Sequence, residues 1–182
     1  MFLPKLNALS ALCALGLFFL PWLDLRCSGR PVLTQTGFQT ITGSYKRSAD
    51  FEIGSRHQIE RQLDPDRPPR ALLVAGALAA TILALLLAFG GMIYGAPDGG
   101  ALRSGLLAAL ALVLLVMQDS RGFPLDEETR ADRNPHEMAA RALVGGTLDV
   151  RRTLWFHATL GTLGFSTLIG LNALVDRSRR KR

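Results

Sequence analysis

The sequence predicts an all-α membrane protein, a four-helix transmembrane bundle with a small β-hairpin in its first loop. Uncharged apolar stretches occupy residues 6–23, 71–95, 104–117 and 154–175. A helix needs roughly 20 mostly apolar residues to cross a hydrocarbon core of about 30 Å, and the first, second and fourth stretches meet this with no Asp, Glu, Lys or Arg inside. Between the stretches lie two polar loops, and part of the first is rich in Thr, Val, Ile and Phe.

The first stretch follows Lys5 and resembles a signal peptide in outline, but no small-x-small cleavage pair follows it. Pro21, Trp22, Leu23, Asp24, Leu25 and Arg26 come instead, so it is taken as a span. The third stretch is short, with Arg103 at its entrance. An arginine at a helix end can lay its methylenes along apolar surface and leave the guanidinium among the headgroups, which extends this span to 101–118. The whole chain, 1–182, thus reads as one membrane domain with spans at about 6–25, 71–95, 101–118 and 154–175. Loops at 26–70 and 119–153 and a basic tail at 176–182 complete it. Of its residues 48% are hydrophobic, and these fill the spans rather than a separate soluble core.

The net charge of +6 does not point to nucleic acid. The excess gathers in Arg177, Arg179, Arg180, Lys181 and Arg182, directly after a span, where anionic lipid headgroups of the bilayer are the nearer partner. With four spans this tail lies on the same side as Lys5 and Arg103. The two loops hold more basic residues in total, but over more chain and nearly balanced by acids. Positive charge density places the termini in the cytoplasm and the long loops outside the cell inner (plasma) membrane. Trp22 and Trp155 fall at the interface beside the loops, and Tyr94 at the other.

Within the spans, small residues recur every four positions. Gly76, Ala80, Ala84 and Ala88 mark one helix, and Ala158, Thr162, Ser166 and Gly170 another. Such stripes let backbones approach closely where lipid tails compete equally for leucine, and packing inside the bundle is their expected role. Asn7, His157 and Asn172 stand near span ends, where water or a carbonyl can satisfy them. Mid-membrane charge is missing from the sequence, as is a Gly/Pro-broken helix pair. Both argue against ion-coupled transport.

In the first loop, residues 30–43 suggest a hairpin with Gly37 at its turn, and Val32, Thr34, Thr36, Gly37, Phe38 and Ile41 form the candidate interaction surface. Residues 44–70 read as a charged excursion with a helical turn at 57–63 and a stiff proline-rich entry to the second span. In the second loop, Asn134, Pro135 and Glu137 form a helix start before Met138, Ala142 and Leu143, an amphipathic helix. His57, His136, Glu137 and His157, with Asp126 to Glu128, are the ligand-like groups that a metal or hydrolytic site would use. Their spacing matches no catalytic or metal motif, so no catalytic, cofactor or metal residues are assigned. Cys13 and Cys27 are too far apart along the first segment to bridge.

At Pro21, Trp22, Cys27, Gly29, Thr36, Gly37, Phe38, Thr42 and Gly43 the chain resembles small bacterial multi-span proteins with a Pro-Trp exit from the first span and a Cys- and TG-containing loop. That resemblance covers the first quarter and implies no activity. In topology the chain is similar to claudin-type tetraspan proteins, whose first extracellular loop is a β-rich recognition surface. It departs from them in lacking paired loop cysteines and the Gly-Leu-Trp element, so a junction-forming role is not implied. The expected function is that of an accessory, scaffold or envelope-interaction subunit binding a membrane or envelope protein through its loops. A membrane enzyme with a loop-side His/acid site and an oligomeric channel are the alternatives.

Overall fold

Leu15, Gly16 and Leu17 close the first helix in a tightened turn, their carbonyls accepting from Phe18, Phe19 and Leu20 three residues on. Pro21 follows. It lacks an N–H and drives the residue before it out of the helical region, so the chain leaves the helix here. The computed structural model describes residues 2–27, 30–47, 71–94, 97–124 and 148–179. In chain order its elements are α1 (Phe2–Leu17), β1 (Pro21–Cys27), β2 (Arg30–Thr36), α2 (Gly37–Thr42), β3 (Lys46–Arg47), α3 (Leu72–Ile93), α4 (Pro97–Arg121), β4 (Leu148–Arg152) and α5 (Leu154–Arg179).

The protein is mostly helical, and α3, α4 and α5 are each long and apolar enough to cross a membrane. The spans within them, Leu72–Ile93, Gly99–Arg121 and Leu154–Asp176, have mean hydropathies of 2.7, 2.1 and 1.5, apolar enough for lipid to suit their outer faces. These faces carry Ile82, Leu83, Leu86, Leu106, Leu110, Phe165 and Leu168, all exposed, while Ala80, Ala84, Ala108, Ala111, Ser104 and Ser166 are buried. The 16-residue α1 packs along α3 and α5.

The expected first span, 6–25, is shortened: helix ends at Leu17, a turn follows, and its last quarter becomes the start of β1. The alternation in Leu23, Asp24, Leu25 and Arg26, apolar inward and charged outward, is the strand period, and it outweighs the local apolar content. The expected hairpin is likewise displaced. β1 pairs antiparallel with β2, and Gly37, assigned to the turn, instead opens α2. Thr36 and Gln39 explain this, since they form a reciprocal capping box: Thr36 Oγ1 accepts from the Gln39 N–H at 3.1 Å while Gln39 Oε1 accepts from the Thr36 N–H at 3.0 Å. Gly43, at φ 75°, closes α2 in the left-handed conformation glycine favours.

The second loop contributes β4, which pairs antiparallel with the other side of β1. The two loops thereby join into one four-stranded sheet of order β3-β2-β1-β4. The excursion beyond residue 47, the helical turn at 57–63, the acidic run Asp126 to Glu128, the expected amphipathic helix from Asn134 and the tail from Arg180 lie outside the described residues.

Candidate functional site: the sheet at the helix ends

The sheet sits at the bundle end where α1 finishes and α3 and α5 begin. Phe38 N–H donates to Phe18 O at 2.8 Å, Ala71 N–H to Thr40 O at 2.9 Å and Thr153 N–H to Trp22 O at 2.8 Å. The Thr153 hydroxyl also donates to Pro21 O. Backbone hydrogen bonds therefore tie both sheet-bearing segments to helix termini, where backbone donors have no partner inside the helix.

Trp22 is the hub of this junction. Its indole is fully buried, and Nε1 donates to Leu17 O at 2.8 Å, satisfying a carbonyl at the end of α1. Phe18 and Phe156 pack on the indole with ring centroids 4.7 and 5.4 Å away, and Phe123 meets Phe156 edge-on at 5.6 Å. Sequence reasoning placed Trp22 in the aromatic belt, yet it is core. Trp155, at the start of α5, is 42% exposed. Gly37 lies directly beneath the indole, where an added Cβ would stand 2.6 Å from the ring.

The inner face of the sheet is apolar: Leu23, Leu25 and Leu33 are buried, and Val150 packs against the same core. Gln35 is buried there too, with Nε2 donating to Ser44 O at 2.9 Å and Gln39 O at 3.3 Å. Arg152 turns toward the bundle. Its Nε lies 2.8 Å from Asp119 Oδ1 and its guanidinium 5.7 Å from the Phe123 ring centroid, which links β4 to the end of α4. Nearby, Gln118 Nε2 donates to Gly122 O at 2.8 Å.

The outer face carries rows of polar and charged side chains. Lys46, Thr34, Asp24 and Arg151 stand opposite one another in one row across all four strands. Arg26 and Asp149 oppose each other in the next row. Within strands Arg26 Nη2 lies 3.6 Å from Asp24 Oδ2, and Arg151 Nε lies 2.7 Å from Asp149 Oδ2. Every neighbour in this square of four charges has the opposite sign, an arrangement that favours the pairing of β1 with β4. It also presents separate guanidinium and carboxylate groups, with Thr34 and Lys46, to anything approaching from water.

Of the candidate interaction residues, Thr34 belongs to this row, whereas Gly37 is buried and Thr36 and Ile41 are partly buried. Phe38 is exposed but lies off the sheet on α2, and the Val32 side chain lies outside the description. Sequence reasoning missed the charges of β1 and β4. The alternation in Leu148, Asp149, Val150, Arg151 and Arg152 carried the signal.

Inside the bundle, Ala80, Ala84 and Ala88 are buried and Gly76 is partly buried, with Leu114 of α4 3.2 Å from where its Cβ would stand. On α5, Ser166 and Gly170 are buried and Ala158 and Thr162 partly so. Gly170 meets Gly105 of α4 so closely that a Cβ on Gly105 would lie 2.5 Å from the Gly170 Cα. Ser166 Oγ donates to Asn7 Oδ1 at 2.5 Å, Asn7 Nδ2 to Ala101 O at 3.4 Å, and Ser10 Oγ to Thr162 O at 2.8 Å. Asn7 is thus buried and bonded within the bundle, while Asn172 and His157 are exposed. Arg179 is exposed on the last turn of α5.

Among the described residues no three His, Cys, Asp or Glu side chains converge as metal ligands. His57, His136 and Glu137 lie outside them. The chain matches no known protein-family model, and no curated protein is significantly similar to it.

Proposed function

We propose that this chain is a four-span protein of a bacterial-type inner membrane that acts as an accessory, scaffold or envelope-interaction subunit. The outer face of its sheet is the surface that meets a protein partner. One observation carries this reading: among the described residues, both polar loops contribute strands to a single sheet, bonded to the helix ends, whose outer face carries an alternating pattern of charges. Electrostatic complementarity of this kind gives specificity and orientation to protein recognition. The fit of Gly37 under Trp22 holds the face rigid, which lowers the ordering cost of binding.

α1 serves as the fourth span in this reading. As 16 residues it is about 24 Å long, shorter than the hydrocarbon core. Even so, Asn7 bonds to Ala101 near the start of α4, so α1 reaches the level at which α4 enters the bundle. Lys5 and Arg103, with Arg177 to Arg182, form the dense positive side, which favours cytoplasmic termini and an extracytoplasmic sheet. The basic tail then meets anionic headgroups.

Co-purification after chemical crosslinking in cells tests the reading. Wild-type protein is expected to recover a stoichiometric protein partner, and the combined substitution Lys46→Ala, Thr34→Ala and Arg151→Ala to lose it while remaining folded in the membrane. Undiminished recovery by that variant, a bound metal whose loss follows His157→Ala, or a symmetric ring of this chain alone would each reject it.

A further inference from the structure

The sequence places Phe38 in a polar loop, between Gly37 and Gln39, yet its ring is 42% exposed and stacks on Phe19, itself 59% exposed, with centroids 5.7 Å apart and planes 23° from parallel. The depth of this pair is set by α3. The carbonyl of Thr40, two residues beyond Phe38 on α2, accepts from Ala71 N–H, and Ala71 immediately precedes a helix long and apolar enough to cross a membrane. Leu72, the first residue of that helix, is 76% exposed. The exposed Leu9 and Leu12 share one face of α1, Phe19 follows two residues past its end, and Phe38, stacked on Phe19, prolongs this apolar surface.

The geometry points to α2 as a membrane-contacting foot: Phe38 and Phe19 lie in the lipid at the boundary between headgroups and acyl chains. The occupant is lipid because the pair is continuous with the lipid-facing surface of the spans and stands at the level where α3 begins. Aromatic rings concentrate at this boundary. The polar side chains of α2 are also hydrogen-bonded locally, with Thr40 buried and Thr42 exposed. Thr40 Oγ1 donates to Gly37 O at 2.7 Å, Thr42 Oγ1 lies 3.3 Å from Gln39 O, and Thr36 and Gln39 satisfy each other. The short helix therefore meets the boundary with few unsatisfied polar side chains. The inference holds whatever the outer face of the sheet binds, and it assigns Phe38 to lipid rather than to that partner.

Spin-label accessibility in phosphatidylcholine vesicles tests it, in a Cys13→Ala, Cys27→Ser background. Labels on Phe38→Cys, on Leu86→Cys as a mid-span reference and on Lys46→Cys as an aqueous reference are exposed to oxygen and to a water-soluble nickel chelate. The label at 38 is expected to collide preferentially with oxygen, as at 86, and oppositely to that at 46. Preferential nickel collision would place Phe38 in water, and shielding from both reagents would place it against protein; either overturns the proposal. With the unsubstituted protein, a lipid carrying a photoreactive group near the glycerol end of its acyl chain should label residues 37–42. Adducts on α3 with none there would equally overturn it.

Discussion

Gly37 lies in van der Waals collision range of the Trp22 indole, and no residue with a Cβ fits between them. The first residue of α2 is thereby pressed onto the start of β1, whose Trp22 packs in the core of the bundle, so the sheet inherits the position of the helices. Gly37→Ala should force the indole or α2 to move, at a cost of about 1–3 kcal/mol typical of overpacking. Gly161→Ala, whose new methyl meets nothing within 4 Å, should be neutral or slightly stabilising through helix propensity. Thermal unfolding in detergent, followed by near-UV circular dichroism, compares the two.

The bond from Ser166 to Asn7 joins α1 to α5 inside the bundle. Interhelical hydrogen bonds in membrane proteins average about 0.6 kcal/mol and reach about 1.7. A double-mutant cycle of Asn7→Ala and Ser166→Ala should give a coupling energy in that range. A coupling of zero would detach α1 from the account of the bundle.

Backbone approach is the other source of bundle stability. Ala84→Leu and Ser166→Leu insert bulk at fully buried positions and should lower the unfolding midpoint clearly, and Gly105→Val should do the same at the Gly170 contact. Leu86→Ala, at an exposed lipid-facing position, should change it little. Equal effects at all positions would mean that the small residues are not packing seams.

Sidedness follows from charge density. In cells whose natural cysteines are replaced, a membrane-impermeant thiol reagent should reach single cysteines at Ser44 and Ser120, both exposed at the sheet end, and fail to reach one at Ser178. Labelling at Ser178 alone would invert the protein.

Hydropathy made α3, α4 and α5 legible, because an uninterrupted apolar run leaves no other solvent for them. The four-residue repeat of Ala80, Ala84 and Ala88 marked the inward side of α3 for the same reason. The sheet was harder to read. Leu23 and Leu25 belong equally to an apolar span and to the inner face of a strand, and only the period of two in β1 separates the cases. β4 pairs with a strand more than a hundred residues earlier, and such non-local pairing leaves no local mark beyond alternation. Gly37 read as a turn residue, whereas the Thr36–Gln39 capping box makes it the start of a helix and its place under Trp22 depends on contacts distant in sequence.

The most direct test of the central claim is site-specific photo-crosslinking in intact cells, with a photoreactive side chain placed at Thr34 in the middle of the outer row, at Lys46 at its edge, or at Leu86 in the lipid-facing control. The account expects one discrete protein adduct, of the same mass increment, from both Thr34 and Lys46, and none from Leu86. Thr34 and Lys46 behaving like Leu86, in a protein that is folded and membrane-inserted, would contradict it.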